Sequence, residues 1–145
     1  MAEESAGGAS RPRLTESDIQ WLRSHVRLEK KQIIAENMRL PEAQAKEFWA
    51  VHDGYTQETM KLSDLRFALI KEFAQSYDTM TDAQADDLVK RMAALEQQVP
   101  TLRQRWIPRF RKVLTGKQTA TFFQVDRRMN LVIDLQIAAW MPLVK

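Results

Sequence analysis

Between residues 81 and 114 the apolar positions keep to one helical face. Ala85, Leu88, Met92, Leu95, Val99, Leu102, Trp106, Phe110 and Val113 step by three and four residues, the spacing of a seam that packs lengthwise on another helix. Pro100 and Pro108 fall inside this run, and each removes a backbone hydrogen bond and crowds the carbonyl four residues earlier. The stripe keeps its phase across both, so the spacing predicts a kinked helix rather than two helices.

A second stripe, Phe48, Tyr55, Leu62, Leu65, Leu69 and Phe73, marks a helix from Pro41 to about Tyr77, roughly 50 Å long at ~1.5 Å per residue. Asp53-Gly54 is the place where it could break, because that pair favours a turn and glycine costs up to ~1 kcal/mol in a helix. Phe48 and Tyr55 stand one heptad apart across the pair, which predicts continuity. Ile19, Leu22, Val26 and Ile33 mark a first helix (Thr15 to about Met38), and Phe122, Val125, Met129 and Val132 a fourth (Thr115 to about Trp140). No stretch of alternating β-branched residues bounded by turn signals competes with this reading. Four helices joined by short connections predict an all-α fold of antiparallel helical hairpins, with a long second helix and a kinked third.

The helix starts carry their own signals. A Ser or Thr N-cap with an acidic or amide residue three positions later satisfies two orphan backbone N–H groups, and Thr15 with Asp18, Thr81 with Gln84 and Thr115 with Gln118 fit that rule. Pro41 supplies the other signal, proline at the first helical position. A phrase recurs around these starts. Leu40-Pro41-Glu42-Ala43-Gln44 leads to Phe48-Trp49, Leu114-Thr115-Gly116-Lys117-Gln118 leads to Phe122-Phe123 at the same offsets, and Met80-Thr81-Asp82-Ala83-Gln84 with Leu88-Val89 is a weaker third copy. Each copy would turn the chain into a helix and point bulky groups at a neighbour.

In these residues the chain resembles the LTxxQ motifs of the Spy/CpxP-like periplasmic proteins. The segments Lys61-Leu62-Ser63-Asp64-Leu65-Arg66, Tyr77-Asp78-Thr79-Met80-Thr81-Asp82-Ala83-Gln84, Arg109-Phe110-Arg111-Lys112-Val113-Leu114 and Asp134-Leu135-Gln136-Ile137-Ala138 are similar to a group of small secreted bacterial proteins without an assigned activity. The resemblance implies interlocked helical hairpins, often a curved dimer, and a periplasmic protein that binds unfolded clients or a stress sensor, with a signal peptide in its precursor. Two positions depart from the motif. Pro41 stands where the pattern has threonine, which removes the capping box there, and Gly116 weakens the last copy.

Composition narrows the function. A length of 145 residues with 44% hydrophobic residues suits one domain with a core of its own, read as 14–145 behind a flexible tail over 1–13. The longest uncharged run near the C-terminus, Leu135 to Val144, is about half the ~20 apolar residues a membrane span requires. The chain has no cysteine, which excludes disulfides, thiolate metal sites and cysteine nucleophiles. Its imidazoles, His25 and His52, lack a partner at the spacing that puts two ligands on one helical turn, and no Glu-x-x-His pair, phosphate loop or nucleophile elbow occurs. The reading is therefore a non-catalytic protein without metal or cofactor.

What remains is surface. The net charge is +3, and Arg103, Arg105, Trp106, Arg109, Phe110, Arg111, Lys112 and Lys117 form a basic, aromatic-rich tract, with Arg23, Arg27, Lys30 and Lys31 as a second strip. Arginine and aromatic side chains at this density also suit phosphate contact and base stacking, so a nucleic-acid module is the rival class. Trp106 and Phe110 are in phase with the apolar stripe, which points them inward and leaves the arginines as a solvated face. The expected partner is a protein or unfolded client that meets Arg103, Arg105, Arg109 and an exposed aromatic such as Trp49. A scaffold or sensor subunit binding one folded partner would use the same surfaces. Long hairpins with a narrow apolar stripe also predict a homodimer.

Overall fold

The computed structural model describes residues 16–144, with the side chains at 16, 18–20, 22–28 and 140 left aside. The expected tail over 1–13, the cap at Thr15, His25, Arg23 and Arg27, and the stripe positions Ile19, Leu22 and Val26 all lie outside that description.

Among the described residues there are four helices: α1 (Glu16–Met38), α2 (Glu42–Ser76), α3 (Asp82–Arg111) and α4 (Gly116–Trp140). Both continuity expectations hold. Helix α2 runs unbroken through Asp53-Gly54 and α3 through Pro100 and Pro108. Gly54 leaves room for the Trp106 ring of α3, since a Cβ at residue 54 would stand 2.7 Å from Trp106 Cη2.

The caps explain three of the boundaries. Thr81 and Thr115 each form a complete capping box, the Thr oxygen accepting from the backbone of Gln84 or Gln118 while that glutamine accepts from the threonine N–H. The box at Thr115 is complete although Gly116 follows it; a side chain at residue 116 would meet nothing within 4 Å. Pro41 is the N-cap of α2 rather than its first helical residue, and it makes no side-chain cap. Helix α1 stops at Arg39, whose left-handed backbone (φ 47°) ends the helix in a conformation that usually falls to glycine or asparagine.

The α2–α3 hairpin is antiparallel, because Tyr55 and Glu58 meet Trp106 while Glu72, further along α2, meets Arg91, earlier on α3. Helix α1 packs on α4, with Lys30 reaching Asp126 and Asn130. Helix α4 runs in the same direction as α2, through Phe48–Phe122, Tyr55–Asp126 and Arg66–Asp134.

An aromatic core binds the four helices at one end. Ile34, Phe48, Tyr55, Leu102, Trp106, Phe110, Leu114 and Phe122 are buried together, with Phe110 and Phe122 centroids 4.5 Å apart and Phe48 edge-on to Phe122. Aromatic pairs at this spacing add to the area they remove from water. A smaller cluster of Leu69, Phe73 and Leu88 closes the far end of the α2–α3 hairpin, with Met141 against it.

Three stripe positions are corrected. Ile33 is exposed, and among the described residues of α1 its neighbour Ile34 is the one fully buried. Leu65 is 52% exposed, because at about 100° per residue it sits roughly a quarter turn off the line through Phe48, Tyr55 and Phe73. On α4 the buried line passes through Phe122, Asp126 and Ile137, and Val132 is 56% exposed. A buried carboxylate interrupts the apolar pattern there; Val125 and Met129 are partly buried and pack against the aromatic core, so of the predicted stripe only Val132 leaves the face.

Candidate functional site

Between the two clusters α4 stands away from the α2–α3 hairpin and leaves a groove of about 600 Å³. The middle of the α3 stripe opens into it. Met92 and Val99 are in phase with the buried Leu88 and Leu102 yet 39% and 42% exposed, since no helix covers them. Ile70, Phe67 and Ile133 form much of the remaining apolar wall.

One end of the groove is polar. The Tyr55 hydroxyl donates to Asp126 Oδ2 at 3.0 Å, Lys30 Nζ lies 3.0 Å from Asp126 Oδ1, and Lys30 also donates to Asn130. Asp126 is 1% exposed, and a carboxylate taken so far from water is tolerated only when paired and hydrogen-bonded. Burial, with Asp126 second, pushes the Tyr55 phenol well above its ordinary value. Arg103 stands beside the same hydroxyl, and its Nε is buried without a hydrogen-bond partner.

His52 belongs to the adjoining aromatic core. Its ring contacts Phe48, Trp49 and Phe122 and its Nδ1 lies 3.3 Å from the Thr56 hydroxyl. Burial first and Lys30 second lower its pKa to about 4, so the imidazole is neutral at physiological pH.

The residues expected to meet a partner are distributed differently from the sequence reading. Trp49 is half-buried rather than exposed, edge-on to Phe48 and His52 with Lys31 Nζ 5.7 Å above its ring. Arg105 pairs with Glu58 at 3.3 Å, and the Arg109 guanidinium lies 4.2 Å from the Trp106 ring centroid. The Trp106 indole donates to Glu58, and that bond, joined by the charge of Arg105, holds the Glu58 carboxyl below its ordinary range. Trp106 and Phe110 point inward, as their phase predicts. Arg105 and Arg109 remain exposed charges, whereas Arg103 turns toward the groove.

A second surface was missed. Leu131, Val132 and Leu135 are 55%, 56% and 71% exposed on α4, with Arg127 and Arg128 exposed one turn earlier. The signal was available in Ile133 and Ile137, which share the face of Phe122 at helical spacing and so turn 131, 132 and 135 outward. The recurring motif is structural: Gln44 and Gln118 meet, Phe48 and Phe122 are fully buried, and Leu40 and Leu114 belong to the same core.

Comparison with protein-family models, curated proteins and solved structures gives no match. Among the described residues no three His, Asp or Glu side chains converge as a metal ion would require, and no helix is long and apolar enough to cross a membrane.

Proposed function

We propose that this chain is a non-catalytic, periplasmic protein-binding module of the Spy/CpxP-like kind, which holds unfolded or partly folded clients and forms a homodimer. The observation that carries the reading is the outer ridge of α4. Leu131, Val132 and Leu135 are large aliphatic side chains left in water within five residues, flanked by Arg127 and Arg128. A contiguous exposed apolar patch rimmed by charge is characteristic of interaction surfaces. Basic rims speed encounter with acidic or unfolded chains, and apolar contact then holds them. The LTxxQ-like phrases supply the compartment and the client class.

Two engaged arginines weigh against the nucleic-acid alternative. Arg105 is tied to Glu58 and Arg109 lies on Trp106, so the tract that suggested phosphate binding has part of its charge committed within the protein. A scaffold or sensor subunit would use the same ridge with one folded partner.

The test follows aggregation of an unfolding client with and without the protein, beside a gel shift with DNA and RNA. Suppression by wild type, lost in a Leu131→Ser, Leu135→Ser double variant that keeps its helical spectrum, is the expected result. Arg105→Glu with Arg109→Glu is expected to slow client binding and reduce its salt sensitivity. No suppression at several-fold molar excess removes the chaperone reading, and a salt-sensitive shift at submicromolar protein favours nucleic acid. Light scattering tests the homodimer, and fractionation of cells expressing the native gene tests the compartment.

A further inference from the structure

The groove between α2, α3 and α4 differs in kind from the α4 ridge, because its two ends differ. Lys30, Arg103 and Arg127 stand at the end near Tyr55, while Phe73, Leu88 and Met141 line the other. Tyr55 and Phe73 are eighteen residues apart on α2, which is about 27 Å of helix. The slot is therefore cationic at its head, largely apolar beyond it although Ser63, Arg66, Glu96 and Asp134 also line it, and long enough to take an extended aliphatic chain. Its volume, about 600 Å³, falls within the range of roughly 300–1,000 Å³ found for small-molecule sites.

The charge at the head is not balanced from within. Four cationic residues line the groove (Lys30, Arg66, Arg103, Arg127) against Glu96 and Asp134. Lys30 is neutralised by Asp126 and Arg66 by Asp134. Arg103 and Arg127 have no carboxylate partner among the described residues, and Arg103 also keeps its Nε buried without an acceptor. A buried donor left unmatched is uncommon and calls for a partner. The planar guanidinium fork matches a carboxylate, which can accept two parallel N–H bonds. An unfolded peptide would instead bring its own N–H and C=O groups against Met92, Val99 and Ile133, where they would need partners.

We propose that this groove binds a long-chain carboxylate of the fatty-acid class, with its head at Arg103 and its chain along Met92, Val99 and Ile133. The site goes beyond the protein-binding reading, which rests on the outer ridge of α4 and shares only Arg127 and Leu131 at the groove edge. Excess positive charge at the head draws the anion, and removal of Met92 and Val99 from water holds the chain.

The experiment titrates the full chain with myristate below its micellar concentration, by calorimetry and by displacement of a fluorescent fatty acid. Saturable binding at one myristate per chain is expected, with tetradecanol at least ten-fold weaker and tetradecylamine without measurable binding. Arg103→Gln is expected to weaken myristate at least ten-fold, and Val99→Asp to abolish it. Arg105→Gln, outside the groove, is expected to bind as wild type does. Circular dichroism checks each variant, and the acid-against-alcohol comparison on wild type needs no variant. No saturable binding by the folded wild type overturns the proposal, as does equal affinity for acid and alcohol. A groove closed by a second copy, shown by a dimer that Val99→Asp dissociates without any myristate binding, overturns it too. Client suppression is read in a separate assay with the ridge variants, so failure here and failure of the protein-binding reading give different patterns.

Discussion

The side-chain amide of Gln44 donates to the side-chain oxygen of Gln118 at 2.7 Å, across 74 residues of chain. Both occupy the third helical position after a start, yet they behave differently. Gln118 completes the capping box by accepting from the Thr115 N–H. Gln44 follows Pro41, which has no N–H to give, so its side chain is released to reach α4 and the carbonyl of Val113 at the end of α3. The proline that breaks the repeated phrase thus frees the glutamine that joins its two copies. The expected outcome of Gln44→Ala is a loss of roughly 1–2 kcal/mol, since it leaves the Val113 carbonyl and the Gln118 amide short of a donor. A double-mutant cycle with Gln118→Ala, by urea unfolding, should give a coupling energy of about 0.5–1 kcal/mol.

Gly54→Ala tests the close approach of α2 and α3. In an open helix this change would stabilise by up to ~1 kcal/mol. Here the new Cβ would lie 2.7 Å from Trp106 Cη2, and the ring is held by its bond to Glu58 and by Arg109 stacking. A net destabilisation of about 1–3 kcal/mol is expected. The same substitution in a Trp106→Phe background should cost much less, because the atom it strikes is gone. Equal costs in the two backgrounds, measured by thermal unfolding, would refute the contact.

Lys30 and Asp126 form a buried pair whose members are not equivalent. Asp126 is 1% exposed, whereas the Lys30 side chain is 24% exposed. Lys30→Met is therefore expected to destabilise by about 3 kcal/mol, because it strands a carboxylate that cannot reach water. Adding Asp126→Asn to that variant should recover part of the loss, since the charge is removed while the Tyr55 hydroxyl keeps an acceptor. Chemical denaturation of the three proteins at neutral pH provides the measurement.

His52 gives the protein a predictable acid sensitivity. The imidazole titrates at about 4 in the fold against 6.5 ordinarily, so between those values the unfolded chain takes up a proton that the folded chain refuses. Its contribution is fully present above pH 6.5, is lost progressively as pH falls toward 4, and is constant below that, for a total of up to about 3 kcal/mol. Replacement by glutamine removes the titrating group. Urea midpoints for wild type and His52→Gln between pH 7.5 and 4 should converge or cross as the pH falls, and parallel curves would exclude His52 as the source.

The sequence by itself determined the elements. Thr81 and Thr115 declare helix starts because a capping box is made from residues three apart, and the phase of Trp106 and Phe110 declares their burial because helical geometry repeats every 3.6 residues. Those are local relations, complete within a turn or two. The tertiary structure decided what depends on distant chain. Asp126 and His52 are polar residues on buried faces, invisible to a search for apolar period, and only the arrival of Lys30 and Tyr55 makes such an acid tolerable. Trp49 is drawn into the core by its neighbours, and Met92 and Val99, in phase with buried leucines, stay open because α4 stands away from them. Periodicity fixes which way a side chain points along its own helix; whether another helix covers it is set by the whole fold.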